Sequence, residues 1–282
     1  MIPVVATTTV LADLVKQVGG DRVTVHSLVP KGGEVHTFDP APSDAAALSG
    51  ARLLVMNGLG LDDWLLAFAQ QAGAADVPVI ELAEDIDEVE YLEGGAHEEE
   101  PVPGGPADEH RFNPHLWMNP AYAMIYVDRI RLKLIEIDPQ GQQSYDSNAE
   151  AYEVRLEGLD AWVRQQMDAI PAERRRVVSF HDAFPYFAAA YDLEIIDVVV
   201  DAPGQEPSPA EVARVIEAIR DSQARAILAE AQFSDELADT IAEEADVAVV
   251  SDLYTDSLGD PPLDTYEGIL RWDVDLIVAA LR

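Results

Sequence analysis

Helical periodicity runs from about Gln143 to Ile170 of this 282-residue chain, where Tyr145, Ala149, Tyr152, Leu156, Leu159, Val163 and Met167 recur every three or four residues. Roughly 28 residues at about 1.5 Å each make a helix of roughly 40 Å, long enough to act as a backbone between two lobes. Its apolar stripe reads as core rather than as a cofactor contact. Pro171 ends it.

Both flanks of this helix alternate short apolar runs with amphipathic segments. On the amino-terminal side Pro3–Ala6, Val23–Val29, Leu53–Met56 and Val77–Leu82 read as strands. A helix through Leu11, Leu14, Val15 and Val18 is stopped by Gly19-Gly20, Ser43 is placed to cap a second helix, and Asp62 or Asp63 a third. A further helix is expected over Ala121–Ile137, broken by Asp138-Pro139. On the carboxyl-terminal side Val177–Phe180, Ile195–Val200, Ala226–Ala229 and Val247–Val250 read as buried strands. The helices there fall at about Pro185–Tyr191, Ser208–Ser222, Asp235–Ala245 and Asp264–Leu281. Strand and helix in alternation are the pattern of a parallel α/β layer. The expected fold is therefore α/β, two similar lobes with parallel sheets linked by one long backbone helix. The expected boundaries are 1–120 for the first lobe, 121–170 for the helical linker and 171–282 for the second lobe. Over 93–112 the pattern collapses into glycines, prolines and glutamates, which predicts a mobile acidic loop.

The charge balance narrows the partners. Asp and Glu number 53 against 18 Lys and Arg, a net charge of −35. Such a field repels phosphate backbones, so nucleic-acid binding is excluded. It opposes adhesion to anionic lipid and draws cations. Cysteine is absent, which removes disulfides, a thiolate zinc cluster and a Cys nucleophile. No apolar run approaches the roughly 20 residues of a membrane span. The chain does not itself begin with a basic and then apolar segment but opens Met1-Ile2-Pro3; an export signal already removed is compatible with that opening.

The six histidines can be weighed singly. His26 lies in an alternating strand and reads as a surface or packing residue. His97 and His110 lie in the acidic loop, where solvation is the default. His36 stands on a loop after a strand, between Pro30-Lys31-Gly32-Gly33 and Phe38-Asp39-Pro40. His115 is held between Pro114 and Pro120, and His181 directly follows a strand, at the edge where α/β folds place ligands. Three imidazoles so placed, in a chain without cysteine, point to a divalent metal site. Asp256 in Tyr254-Thr255-Asp256-Ser257-Leu258 reads on spacing alone as a helix or turn cap, with metal ligation as the alternative. Three imidazoles and one carboxylate would fill a tetrahedral shell. No position would remain for an activated water, which favours binding over hydrolysis.

Four segments carry a family resemblance: Gly33–Asp44, Asn113–Pro120, Phe180–Phe187 and Thr255–Leu258. In this order, and with the long helix between the second and third, they resemble the signatures of cluster A-I solute-binding proteins, the zinc and manganese receptors of ABC importers. The resemblance covers nearly the whole chain. It implies a monomeric extracytoplasmic receptor, periplasmic or a cell-surface lipoprotein, that is not an enzyme. Such a receptor holds one metal ion in the interlobe cleft and delivers it to an importer permease with its ATPase. The ligands it implies are His36, His115, His181 and Asp256. His181 stands where manganese members commonly have Glu and zinc members His, so the implied cargo is Zn²⁺. Mn²⁺ or iron is the alternative within the family.

Three departures accompany the resemblance. The loop before His115 keeps only His97 and His110, where zinc receptors often carry many histidines. Asn113 replaces the usual Asp, and is expected to alter a loop hydrogen bond rather than the ligand set. Glu230 in Ala229-Glu230-Ala231-Gln232-Phe233 is expected either to support the ligands or to play a structural part, rather than to join them. From another functional class, a zinc hydrolase could use the same histidines with Asp182 or Glu230 as base, but no His-Glu-x-x-His spacing supports it. A surface adhesin is a third reading, and nothing in the sequence forms a patch for a host ligand.

Overall fold

The computed structural model describes residues 1–94, 112–200, 204 and 206–282. His97, His110 and most of the expected acidic loop lie outside them. The chain divides into two compact units. One comprises Met1–Val89, Pro120–Gly158 and Asp256–Tyr266; the other comprises Glu90–Asn119, Leu159–Thr255 and Glu267–Arg282.

The first unit is built on a parallel sheet of β1 (Ile2–Ala6), β2 (Val23–Ser27), β3 (Leu53–Met56) and β4 (Val79–Glu81), in the order β2-β1-β3-β4. Its inner strands are near-continuous apolar runs. Val4, Val5, Ala6 and all four residues of β3 are buried, as strands covered on both faces must be. Helix α1 (Thr9–Gly19) makes the crossover from β1 to β2. It starts where the Thr8 side chain accepts from the Leu11 amide at 3.2 Å. It stops at Gly20, whose φ of +51° is open to glycine at little cost. Short helices α2 (Asp44–Ser49) and α3 (Trp64–Gln71) follow, and α4 (Pro120–Ile137) packs on α1.

Helix α5 (Gln142–Asp168) belongs to the first unit through Gly158 and to the second from Leu159. Every member of its expected apolar stripe, from Tyr145 to Met167, is buried. The second unit repeats the parallel sheet with β5 (Arg176–His181), β6 (Glu194–Val200), β7 (Ala226–Glu230) and β8 (Ala248–Leu253), in the order β6-β5-β7-β8. Helices α6 (Pro185–Tyr191), α7 (Pro209–Ser222), α8 (Asp235–Ala245) and α9 (Tyr266–Leu281) complete the chain. In each sheet the chain moves outward from an inner strand and then crosses to the other side. The carboxyl ends of β1 and β3, and of β5 and β7, therefore flank a topological switch point, where such sheets bind ligands.

The expected caps need correction. Ser43 has a helical backbone and its side chain caps nothing; Asp44 instead accepts from the Ala41 amide at 2.9 Å. Asp63 likewise makes no capping bond. Asp62 is buried, with Thr7 Oγ1 donating to it at 2.6 Å and the Asn57 and Gly58 amides at 2.7 and 2.9 Å. The strand expected at Val247–Val250 begins instead at Ala248 and continues to Leu253. Among the described residues no helix is long and apolar enough to cross a membrane.

Candidate functional site

His36 and Asp256 come together in the first unit. His36 sits on the loop after β2, which is fastened at three points. The Gly32 amide donates to Ser257 Oγ at 2.7 Å, the His36 amide to Glu34 Oε1 at 2.9 Å, and Trp64 Nε1 to the Val35 carbonyl at 3.3 Å. Phe38 packs on the Trp64 ring with centroids 5.1 Å apart. On the other side the Leu258 amide donates to Thr9 Oγ1 at 2.8 Å, anchoring the Asp256–Leu258 segment to the start of α1. Asp256 Oδ2 thereby lies 3.7 Å from His36 Nε2, with the Asp256 side chain fully buried. That distance is too long for a hydrogen bond. It is close to the roughly 3.3 Å edge of a tetrahedron whose bonds are near 2.0 Å.

His115 and His181 come together in the second unit, with ring centroids 4.9 Å apart at 73° and ligand atoms within 4.8 Å of each other. The His115 loop is held by more than its prolines. The Asn113 amide donates to the Leu92 carbonyl at 2.9 Å, Tyr186 Oη donates to the Asn113 carbonyl at 3.0 Å, and Trp117 Nε1 donates to the Thr255 carbonyl at 2.9 Å. Asn113 Nδ2 donates to the carbonyl and the carboxylate of Asp182 at 2.7 and 3.0 Å. Both are acceptors only, so the other side-chain atom of Asn113 must be its oxygen. That oxygen accepts from the His115 amide and lies 3.0 Å from His115 Nδ1. Nδ1 is therefore protonated in the neutral ring, and the lone pair sits on Nε2.

His181 ends β5, and Glu230 ends the neighbouring β7. Ser179 pairs with Leu228 across these strands, so two residues further on each strand His181 stands beside Glu230. Both are fully buried, with Nδ1 2.8 Å from Oε1. Behind Glu230 lies Asp273 of α9, whose Oδ1 accepts from the Tyr254 amide at 2.9 Å. Burial pushes the Asp273 carboxyl well above the usual carboxylate range; the Tyr254 hydrogen bond opposes the shift and the charge of Glu230 adds to it. Sequence reasoning missed Asp273. Its signal was a carboxylate on the buried stripe of α9, between Ile269 and Ile277.

His26 is exposed on β2, as a surface residue should be. The two acids considered as hydrolytic bases are engaged otherwise, Asp182 by Asn113 and Glu230 by His181.

Comparison with known proteins adds to this geometry. A family model described as zinc-uptake complex component A, periplasmic, matches residues 4–280. Iron-binding protein YfeA of Yersinia pestis is 32% identical over 276 residues, covering 97% of this chain and 84% of its own. Manganese-binding lipoprotein MntA of Halalkalibacterium halodurans is 29% identical over 282 residues, covering 99% and 88%. Among solved structures, the periplasmic zinc binding protein TroA of Treponema pallidum matches with a TM-score of 0.86 at 26% identity, over 100% of this chain and 99% of that one.

Proposed function

The chain belongs to the zinc-uptake complex component A family, whose model it matches from residue 4 to residue 280, and on that premise we propose that it is an extracytoplasmic receptor that binds one divalent transition metal ion and hands it to an ABC importer. It is a binding protein and not an enzyme. The proposed donors are one nitrogen each from His36, His115 and His181 and one oxygen from Asp256. The observation that carries this reading is that each unit supplies a buried or half-buried pair of ligand-type side chains on loops or strand ends held by directed hydrogen bonds. Three imidazoles and a single carboxylate suit a borderline cation better than a hard one. Zn²⁺ is therefore the cargo we favour. The relatives named for manganese and iron make Mn²⁺ and Fe²⁺ the competitors. The partners are a membrane permease and its ATPase, and the receptor acts as a monomer.

Native mass spectrometry of protein stripped of metal and reloaded should find one ion per chain. Calorimetry should then show that His36→Ala, His115→Ala, His181→Ala and Asp256→Ala each weaken Zn²⁺ binding at least tenfold. A full-affinity site surviving all four substitutions would overturn the assignment. Competition among Zn²⁺, Mn²⁺ and Fe²⁺ for the stripped protein decides the cargo.

A further inference from the structure

His115 and His181 are neighbours with unlike partners at Nδ1. His115 faces the neutral carboxamide of Asn113, whereas His181 faces the carboxyl group of Glu230. We propose that Glu230 is a positioning residue for metal binding. Its carboxylate holds the His181 ring with Nδ1–H directed at Oε1, so that Nε2 is the nitrogen presented to the ion, and it makes His181 the stronger donor of the two imidazoles. This rests on the receptor reading above and extends it to a residue outside the four donors.

The parallel pairing of β5 and β7 runs to Ser179 and Leu228, and two residues beyond it on each strand the side chains of His181 and Glu230 meet at adjacent strand ends. Neither group is exposed, and the contact is 2.8 Å. A buried ring with two chemically distinct nitrogens needs a partner at one of them to define which carries the proton. A carboxylate can only accept, so it dictates Nδ1–H. An ionised acceptor also leaves more electron density on the far nitrogen than an amide does, and partners of this kind commonly alter metal affinity by roughly 10–100-fold. At Asn113 the same orientation is imposed without charge, because Asp182 fixes which way the amide points.

The test uses the full chain. Long-range ¹H–¹⁵N spectra of the metal-free protein, with labelled histidine, should show His181 and His115 in the Nδ1–H form. Glu230→Ala should let His181 populate the Nε2–H form and weaken Zn²⁺ binding by roughly 10–100-fold. Glu230→Gln, whose amide oxygen can still accept, should keep the Nδ1–H form and recover part of that loss. A His181 ring found as Nε2–H in the unaltered protein would overturn the proposal. So would Zn²⁺ affinities of both variants within twofold of the unaltered chain. If Glu230→Ala fails to fold, the unaltered spectrum and Glu230→Gln still decide. A chain that binds no divalent metal would sink the receptor reading instead, while the spectra would still report whether Glu230 orients the ring.

Discussion

Asp62 shows how far one residue's role can depend on contacts invisible in its neighbourhood. Two acids ahead of an apolar run look like helix caps, yet Asp62 is drawn inward to Thr7 at the end of β1 and to the amides of Asn57 and Gly58. Burial raises its pKa from 3.8 to about 6, against the lowering effect of those hydrogen bonds. A raised carboxyl pKa means that the fold prefers the protonated form. The associated stability is complete below the unfolded value and is lost as pH rises through about 6. Metal-free protein should therefore gain about 1 kcal/mol from this group between pH 7 and pH 5. Asp62→Asn should abolish that gain. It should also cost about 1–3 kcal/mol at pH 7, because its NH₂ would face a buried donor. Denaturant titrations of both proteins at the two pH values check this; parallel pH profiles would count against it. Asp273 and Glu230 teach the same lesson. The sequence marks both as acids within apolar segments, but only strand register and helix packing reveal that Glu230 meets a histidine.

At the scale of elements, local sequence marks some helix starts and misplaces others, since neither Ser43 nor Asp63 forms a capping bond. The segment Ser208-Pro209-Ala210-Glu211 marks a helix start, and Ser208 and Glu211 do form a reciprocal cap. The Glu211 amide donates to Ser208 Oγ at 3.3 Å, and the Ser208 amide to Glu211 Oε2 at 2.6 Å. Ser208→Ala should lower stability by about 1 kcal/mol and leave metal affinity unchanged, measurable by thermal melts alongside calorimetry. The inner strands β5 and β7 were legible as buried, because an apolar run covered on two faces has no other use. The runs Ile195–Val200 and Val247–Val250, read as buried too, fall at the edge strands β6 and β8, which are only partly covered. Strand ends were not legible. The apolar run at Val247–Val250 gives way to Ser251 and Asp252, yet backbone pairing continues past a register shift until Leu253 meets Glu230. Hydrophobicity reports burial, whereas strand ends are set by where a neighbour's amides and carbonyls run out. The ends of β5 and β7 carry His181 and Glu230, so the part of each strand that periodicity could not bound is the part that enters the proposed metal site.

For the whole molecule, the proposed donors are spread over most of the chain, from His36 to Asp256, and each unit holds two of them. An ion that binds only when all four are in place is a ligand for the folded state alone, and it stabilises that state by mass action. With free Zn²⁺ at about a thousand times the dissociation constant, the gain is about 4 kcal/mol. For a chain of this length each kcal/mol moves the melting temperature by about 2 °C, so Zn²⁺ should raise it by roughly 8 °C. The pattern among variants is more telling than the size. Removing the first-unit pair, His36→Ala with Asp256→Ala, should abolish the rise as fully as removing the second-unit pair, His115→Ala with His181→Ala. Two donors from either unit would leave the remaining positions to water and an affinity too weak to matter at that concentration. Differential scanning calorimetry of both double variants, with and without Zn²⁺, decides the point. If the variant lacking His36 and Asp256 keeps its full rise, the ion is held by His115 and His181 without them, and the single four-donor centre is wrong.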